Sequence, residues 1–447
     1  MSRAARGAAP AAAEERGEVS GLTHQGEGVV RAGKTAFVAG ALPGERIRFR
    51  RTRRHRQHDD AELLEVLRPS AERVSPRCPH FGVCGGCLLQ HLDGAAQLLA
   101  KERELRDNLE RLARVTPRTW LAPLPGPLWG YRRRARLGVK FVHKKGRVLV
   151  GFRERSAPYI AELTRCEVLA PPAGELIAPL AELIGTLSIK EQLPQIEVAV
   201  ADNGTALVLR VLVAPSEEDR ARLAAFAAAH GVRLWLQPAG PDSARELAAV
   251  PGPPLLYRLA GCDLMLEFAP TDFIQVNARV NESLVARALE LLAPGPGSRV
   301  LDLFCGLGNF TLALARRAAH VTGVEGEAGL IARARGNAER NAIANVEFHC
   351  ADLTRVTEQG APWLSGPYTH VLLDPPRPGA AEVLAALARL APRRLLYISC
   401  HPGSLARDLG VLVHEHGMTL EAAGVVDMFP HTAHLESLAL LSAATRA

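Results

Sequence analysis

From residue 299 onward, short apolar runs alternate with stretches of helical length, and each run closes on a polar group. The runs are Val300-Leu-Asp302, His320-Val-Thr-Gly-Val-Glu325, Val346-Glu-Phe-His-Cys-Ala-Asp352, Val371-Leu-Leu-Asp374 and Arg394-Leu-Leu-Tyr-Ile-Ser-Cys400. From Asp302 the steps to the next polar ends are 23, 27, 22 and 26 residues, each about one βα unit. Unbroken apolar runs of this length, separated by helix-length spacers, predict parallel strands buried on both faces. The chain is therefore expected to be α/β, with four carboxylates and then a thiol lined up along the edge where such sheets bind ligands.

The pattern changes upstream. Residues 17–69 carry apolar pairs (Val29-Val30, Phe37-Val38, Ile47 with Phe49) between Gly-rich turns, which predicts a small all-β module. Arg46, Arg48 and Arg50 alternate with Ile47 and Phe49, putting arginine on one face of a strand. Residues 95–114 read as an amphipathic helix with Leu98, Leu105, Leu109 and Leu112 on one stripe. Strands are expected at Ile196–Val200 and Leu207–Val213, a helix over 216–229, and a loop at Pro251–Pro254. A helix is expected from Thr311 to Ala319, and Glu421–Asp427 with Leu435–Leu441 reads as a β-hairpin at the sheet edge. The expected organisation is a flexible tail over 1–16, a β-barrel over 17–70, a central domain over 71–270 and the α/β domain over 271–447. No internal repeat is visible.

The net charge of +7 matters through its distribution. Residues 131–155 hold ten Lys/Arg, among them Arg132, Arg133, Arg134 and Arg136, against the single acid Glu154. The Arg46–Arg56 run holds seven arginines and no acid. Two such concentrations point to a polyanion, nucleic acid first, and a small barrel with a basic wall suits RNA. No apolar run reaches membrane-spanning length, and the N-terminal stretch lacks the apolar core of a signal peptide. Cytoplasmic residence, without a membrane partner, is the expectation.

Asp302-Leu-Phe-Cys-Gly-Leu-Gly-Asn-Phe310 follows a predicted strand and opens a helix. Gly306 and Gly308 let a ligand approach the backbone, while the missing third glycine disfavours a dinucleotide. Glu325 is placed to hold a ribose and Asp352 an adenine amino group. A single acid after a strand is more often a helix cap; four in register favour a cofactor. S-adenosylmethionine fits, having a ribose, an adenine and a sulfonium but no phosphates. Asp374-Pro-Pro-Arg377 puts arginine where amino-methylating enzymes carry an aromatic, which argues against N-methylation. A thiol in series with these acids suits methylation at uracil C5. A thiolate adding to C6 turns C5 into a nucleophile, and this covalent route needs a partly ionised cysteine. An electropositive pocket is expected to lower the pKa of Cys400 for that role.

Eight cysteines in a long chain point to metal or catalysis rather than disulfides. Cys78-Pro-His-Phe-Gly-Val-Cys84-Gly-Gly-Cys87, with Cys166 as fourth ligand, can hold zinc or an iron–sulfur cluster. Spacing does not choose between them, and it departs from that of radical enzymes.

Taken together these residues resemble the RlmD (RumA) type of 23S rRNA uracil-C5 methyltransferase over nearly the whole chain. The resemblance is carried by Cys78–His91 (CPHFGVCGGCLLQH), Tyr131–Val139 (YRRRARLGV), Leu149–Glu154, Phe273–Asn277 (FIQVN), Asp302–Phe310 (DLFCGLGNF), Val324–Gly326, Tyr397–Pro402 and Asp427–Ser437 (DMFPHTAHLES). It implies a class I, Rossmann-like methyltransferase domain preceded by a TRAM barrel and a central α+β domain. It also implies a [4Fe-4S] cluster on Cys78, Cys84, Cys87 and Cys166, Cys400 as nucleophile and Glu436 as the base that takes the C5 proton. Cofactor contacts would fall on Gln275, Phe304, Asn309, Glu325, Asp352 and Asp374, with Gly306 in the same loop. The substrate would be 23S rRNA or its precursor, bound by a monomer through residues such as Arg48, Arg50, Arg132, Arg133, Arg134 and Arg136. The helix near 95–114 would pack on the catalytic domain. Asp-Pro-Pro-Arg-Pro stands where the family often has Asp-Pro-Ala-Arg-Ala. The rivals are a uracil-C5 enzyme for another rRNA or tRNA site, a cytosine-C5 enzyme (disfavoured because Pro375-Pro376 stands where a second cysteine belongs), and a non-catalytic RNA-binding factor with a zinc ribbon.

Overall fold

The computed structural model describes residues 13–248, 250–355 and 361–443. The described residues form two compact bodies, one within 13–82, 86–100 and 431–433, the other within 83–85, 101–430 and 434–443.

In the first body, Glu14–Leu22, Gly28–Val30, Thr35–Ala39, His58–Arg68 and Arg46–Arg54 close, in that spatial order, into a five-stranded barrel. Alternation drives it: Ile47 and Phe49 point inward with Val19, Val30, Val38 and Ala61 to make the barrel core. The first strand begins at Glu14, so residues 14–16 belong to the barrel and not to the expected tail. Residues 1–12 lie outside the described residues. Residues 71–82 and 86–100 join this body rather than a central domain because of a buried ion pair and a small core. Arg73 donates to Glu45 at 2.5 and 2.8 Å, and Leu92 and Ala96 pack with Leu42.

In the second body, a six-stranded sheet holds Arg134–Val142 next to Arg147–Gly151 on one side and Gln195–Ala201 on the other, then Gly204–Arg210, Val232–Gln237 and Arg245–Glu246. Helices Ile177–Thr186 and Glu217–His230 cover it. The latter starts at a Ser216–Asp219 capping box and ends at Gly231, whose φ of 62° a side chain would resist.

The catalytic sheet contains β1 (Arg299–Leu303), β2 (His320–Glu325), β3 (Val346–Cys350), β4 (His370–Leu373), β5 (Arg394–Ser399), β6 (Thr419–Val426) and β7 (Glu436–Ser442). Their order is β3-β2-β1-β4-β5-β7-β6, with Thr119–Trp120 beyond β6. β1 to β5 are parallel, and β7 runs antiparallel between β5 and β6. This corrects the expected edge hairpin: β7 is interior, and β6 is itself covered by Thr119–Trp120. Leu301, Leu372, Leu396 and Ile398 are fully buried, as central parallel strands require. Helix Ala278–Leu292 lays Val280, Leu284, Val285, Ala288, Leu289 and Leu292 on one buried stripe. The helix after the glycine loop stops at Ala315, short of the expected Ala319.

The predicted 95–114 helix runs from Gly94 to Asn108 and then widens into a π-turn, Leu109–Ala113. The π-turn packs on helix Pro402–His414, with His414 Nε2 2.8 Å from the Ala113 carbonyl. Within the same body, Lys101 and Asp427 form an ion pair at 2.7 Å, each side chain 3% exposed. Among the described residues no helix is long and apolar enough to cross a membrane.

Candidate active site

The β5–β7 ladder pairs Arg394 with Ser442 and continues in step to Ser399 with Ser437. Cys400 directly follows Ser399 and Glu436 directly precedes Ser437, so the end of the ladder brings the two close enough for the Glu436 charge to act on the thiol. The junction is pinned by the Ser437 hydroxyl donating to the Ser399 carbonyl at 3.2 Å. Behind the thiol, His401 caps helix Pro402–His414, its Nδ1 accepting from the Ser404 N–H at 3.1 Å.

The electrostatics overturn one expectation. Desolvation first, then the charges of Glu436 and Asp374, push the Cys400 thiol up to about 11, and Arg377 pulls it down. The pocket is lined by acids rather than being electropositive. Arg377 and the helix N-terminus two residues on are what favour the thiolate. Arg377 lies 2.7 Å from His434 Nδ1, a contact that neither spacing nor charge pattern signalled. Glu436 is 4% exposed, and burial together with Asp374 raises its pKa well above the carboxylate range.

Asp302, next to last in β1, is fully buried. Its Oδ2 accepts from the Thr311 hydroxyl at 2.6 Å, and its Oδ1 has no hydrogen-bond partner among the described residues. Burial pushes its pKa up to about 7. Asp374, beyond β4, is likewise raised by burial, and Gln275 Nε2 donates to it at 3.4 Å. Three carboxyls held in low dielectric with too few donors fit a ligand that brings a positive charge.

Between β1 and its helix, Phe304, Gly306 and Gly308 take φ of 62°, 56° and 97°. This left-handed run bares the loop's backbone toward β2. The Glu325 carboxylate accepts from the N–H groups of Gly306 (3.1 Å), Gly326 (2.7 Å) and Glu327 (3.2 Å). Phe310, Glu327 and Ala380 occupy the helix N-cap positions without side-chain caps, so Glu325 and Asp374 are not helix caps. Asp352 is placed differently. β3 ends at Cys350, and the exposed Asp352 side chain turns onto Thr354, accepting from its N–H at 2.9 Å and its hydroxyl at 2.6 Å. Asn309 is engaged at both ends of its amide. Its Oδ1 accepts from Tyr257 (3.0 Å) and Asn281 (2.9 Å), and its Nδ2 donates to Asn281 (3.0 Å). Sequence reasoning missed Tyr257 and Asn281, although Asn281 sits one turn beyond the helix cap Asn277.

The expected RNA-binding arginines are mostly held by acids. Arg48 pairs with Glu14 (2.8 Å) and Glu65 (2.9 Å), and Arg50 with Glu62 (3.0 Å). Arg133 pairs with Asp202 at 2.5 Å. Arg134, 14% exposed, lies between Glu197 and the Pro270 carbonyl. Arg136 pairs with Glu197 at 3.0 Å, and Arg132 donates to the Arg134 carbonyl at 2.9 Å.

Of the cysteine motif, Cys84 forms a β-bridge with Glu154, flanked by bonds from Gly85 N–H to Arg153 and from Arg155 N–H to Val83. Cys166, whose N–H donates to the Gly174 carbonyl, borders the same central core as Cys84. A side chain at Gly174 would strike the Cys166 carbonyl. In the other body, the Cys78 N–H donates to Gln90 Oε1 at 3.1 Å.

The tRNA (Uracil-5-)-methyltransferase family profile matches residues 256–444. The 23S rRNA (uracil(1939)-C(5))-methyltransferase RlmD of Stenotrophomonas maltophilia (strain R551-3) is 51% identical over 427 residues, 95% of this chain and 96% of the relative. The chain belongs to the RlmD family of uracil-C5 methyltransferases. The RlmD of Alkalilimnicola ehrlichii is 52% identical over 424 residues, 94% of this chain and 95% of its own length. Among solved structures, the Pyrococcus abyssi tRNA (uracil-54, C5)-methyltransferase in complex with S-adenosyl-L-homocysteine is similar with a TM-score of 0.73 and 25% identity. The match covers 96% of this chain and all of that one. The barrel, central sheet and class I catalytic domain are thus the architecture of this RlmD-family enzyme, as the sequence led one to expect.

Proposed function

We propose that the protein methylates C5 of the uridine in 23S rRNA corresponding to position 1939 of its relatives, with Cys400 as nucleophile and Glu436 as base. The ladder end that brings Cys400 and Glu436 together, with the Glu436 charge acting on the thiol, carries the reading. S-adenosylmethionine, when bound, supplies the methyl group as an electrophilic sulfonium. Asp302 and Asp374 would face its positive charge, and Glu325 and the Gly306 loop would hold its nucleoside part. Asn309, expected to contact the ligand, is oriented in that loop by Tyr257 and Asn281.

The Cys400 thiolate adds to uracil C6, and the C5=C6 pair moves toward C5 and the O4 carbonyl. C5 bonds to the methyl carbon as the carbon–sulfur bond breaks, its electron pair staying on sulfur. Glu436 then takes the C5 proton. The freed C–H pair restores C5=C6, and the Cys400–C6 bond breaks to return the thiolate. Arg377 favours the thiolate that starts the cycle. A raised pKa makes Glu436 a stronger base in its ionised form.

Cys78, Cys84, Cys87 and Cys166 are proposed to hold a [4Fe-4S] cluster in a structural role. Support comes from the family resemblance carried by Cys78–His91 and from the packing of Cys84 and Cys166 on one core; thiolates are the donors such clusters take.

The test is to map 5-methyluridine in 23S rRNA from cells with and without the gene, and then from cells expressing C400A. Loss of one modified position in the deletion, not restored by C400A, is expected. Full modification with C400A would refute the reading.

A further inference from the structure

The central sheet carries a groove of about 740 Å³ away from the catalytic loops. Strands Arg134–Val142 and Arg147–Gly151 form its floor, and residues 153–160 form a wall. Four cations border it, Arg136, Lys140, Lys145 and Arg153, against one acid, Glu154. Arg136 and Lys145 are partly neutralised by Glu197 and Glu162. Lys140 is exposed and makes no ion pair among the described residues. On the same lining Tyr159 leaves 69% of its surface in water and presents a flat ring face on which another ring can stack.

We infer that this groove is a second RNA subsite, in which Tyr159 stacks on an unpaired base while Lys140 and Arg153 neutralise the flanking phosphates. An aromatic platform beside backbone-tracking cations is the recurrent design for single-stranded nucleic acid. The volume lies in the range of pockets that enclose a small ligand. The fold also ties the groove to the reacting centre. Arg132 bridges to Asn277 and the Arg133 N–H donates to Val276, immediately after Gln275. From Arg133 the strand runs seven residues to Lys140, roughly 24 Å at about 3.4 Å per residue. The base stacked on Tyr159 is therefore not the base being methylated but one several nucleotides along the same strand. The inference rests on the proposed RNA substrate and adds a specificity determinant outside the active site.

The test compares fluorescently labelled RNAs, a short one limited to the target uridine and its immediate neighbours and a long one extended by ten nucleotides on each side. Binding is read by anisotropy and methylation by tritium transfer. Tyr159→Ala is expected to weaken long-RNA binding on the order of tenfold, with Tyr159→Phe near wild type. Lys140→Glu is expected to weaken it too and to reduce the salt slope by about one. Both substitutions are on the surface and should leave the melting temperature and short-RNA methylation unchanged. Wild-type affinity of Tyr159→Ala for long RNA, or an equal loss for short RNA, would overturn the inference. So would binding of a poly-glutamate peptide that Lys140→Glu abolishes while long-RNA affinity stays intact. If the wild-type protein methylates neither RNA, the proposed function fails, while the anisotropy comparison still decides the groove.

Discussion

Cys400 and Glu436 are 36 positions apart in the chain, yet they flank the last Ser399–Ser437 pair of an antiparallel ladder, Cys400 following one member and Glu436 preceding the other. The base is on a strand and the nucleophile directly follows one, and the paired residues Ser399 and Ser437 beside them hold their backbones together. The two variants should then fail at different steps. Cys400→Ala should lower methyl transfer by roughly 10³-fold or more and form no adduct with 5-fluorouridine RNA. Glu436→Gln should still add to C6 and accumulate protein–RNA adduct on unmodified RNA, seen as a shifted band on denaturing gels. Adduct from Cys400→Ala, or free turnover by Glu436→Gln, would contradict the assignment.

Arg377 is the cation that draws the Cys400 thiol down against three unfavourable influences. Arg377→Met should shift the pH profile of iodoacetamide alkylation at Cys400 further alkaline and depress methylation at pH 7.5 more than at pH 9. A profile that superimposes on wild type would show that Arg377 does not act on the thiol.

Asp302 gives the ligand-free protein a pH dependence whose sign is fixed. Its pKa is about 7 when folded, against an ordinary 3.8. Between these values the folded chain holds a proton that the unfolded chain has released, so stability falls as pH rises through the window. A cationic ligand reverses the preference, and affinity for S-adenosylmethionine should rise with pH through about 7. Asp302→Asn should flatten both trends, with a less steep fall of melting temperature from pH 5 to 8 and weaker cofactor binding by calorimetry. Slopes unchanged by the substitution would disprove the link.

Lys101 and Asp427 are buried together, and Lys101 also donates to the Phe429 carbonyl at 2.9 Å. The pair thus fastens the segment that leads from β6 toward Glu436. Lys101→Met leaves a buried carboxylate unpaired and should cost about 3–5 kcal/mol in denaturant unfolding. Lys101→Met with Asp427→Leu should recover much of that loss. A double variant as unstable as the single one would mean the two residues are not energetically coupled.

Protein purified without oxygen should be brown and contain about four iron atoms, the number in one [4Fe-4S] cluster. Substituting Ser for Cys84 or Cys166 should remove both colour and iron. A colourless protein with stoichiometric zinc and full activity would exclude the cluster.

The strand ends of the catalytic sheet were legible because parallel strands buried on both faces leave unbroken apolar runs, and Leu301, Leu372 and Leu396 are such residues. Glu436 was different. It lies on an antiparallel strand whose register is set by pairing with β5, so only the family resemblance pointed to it. Local pattern misjudged the thiol for a similar reason: the acids that raise its pKa come from other strands. The acids that pair with the arginine runs were hidden in the same way, since Glu14, Glu62, Glu65, Glu197 and Asp202 reach them from distant parts of the chain. Asp352 matched the spacing, yet β3 ends two residues earlier and the side chain folds onto its own turn.

The interior position of β7 has a consequence for synthesis. The sheet's seventh strand is the last to leave the ribosome, yet it fills the slot between β5 and β6. Until it docks, β5 has an open edge and Cys400 has no base, so a growing or shortened chain that stops before residue 436 carries a thiol that cannot complete the cycle. Catalytic competence is thereby tied to completion of the fold.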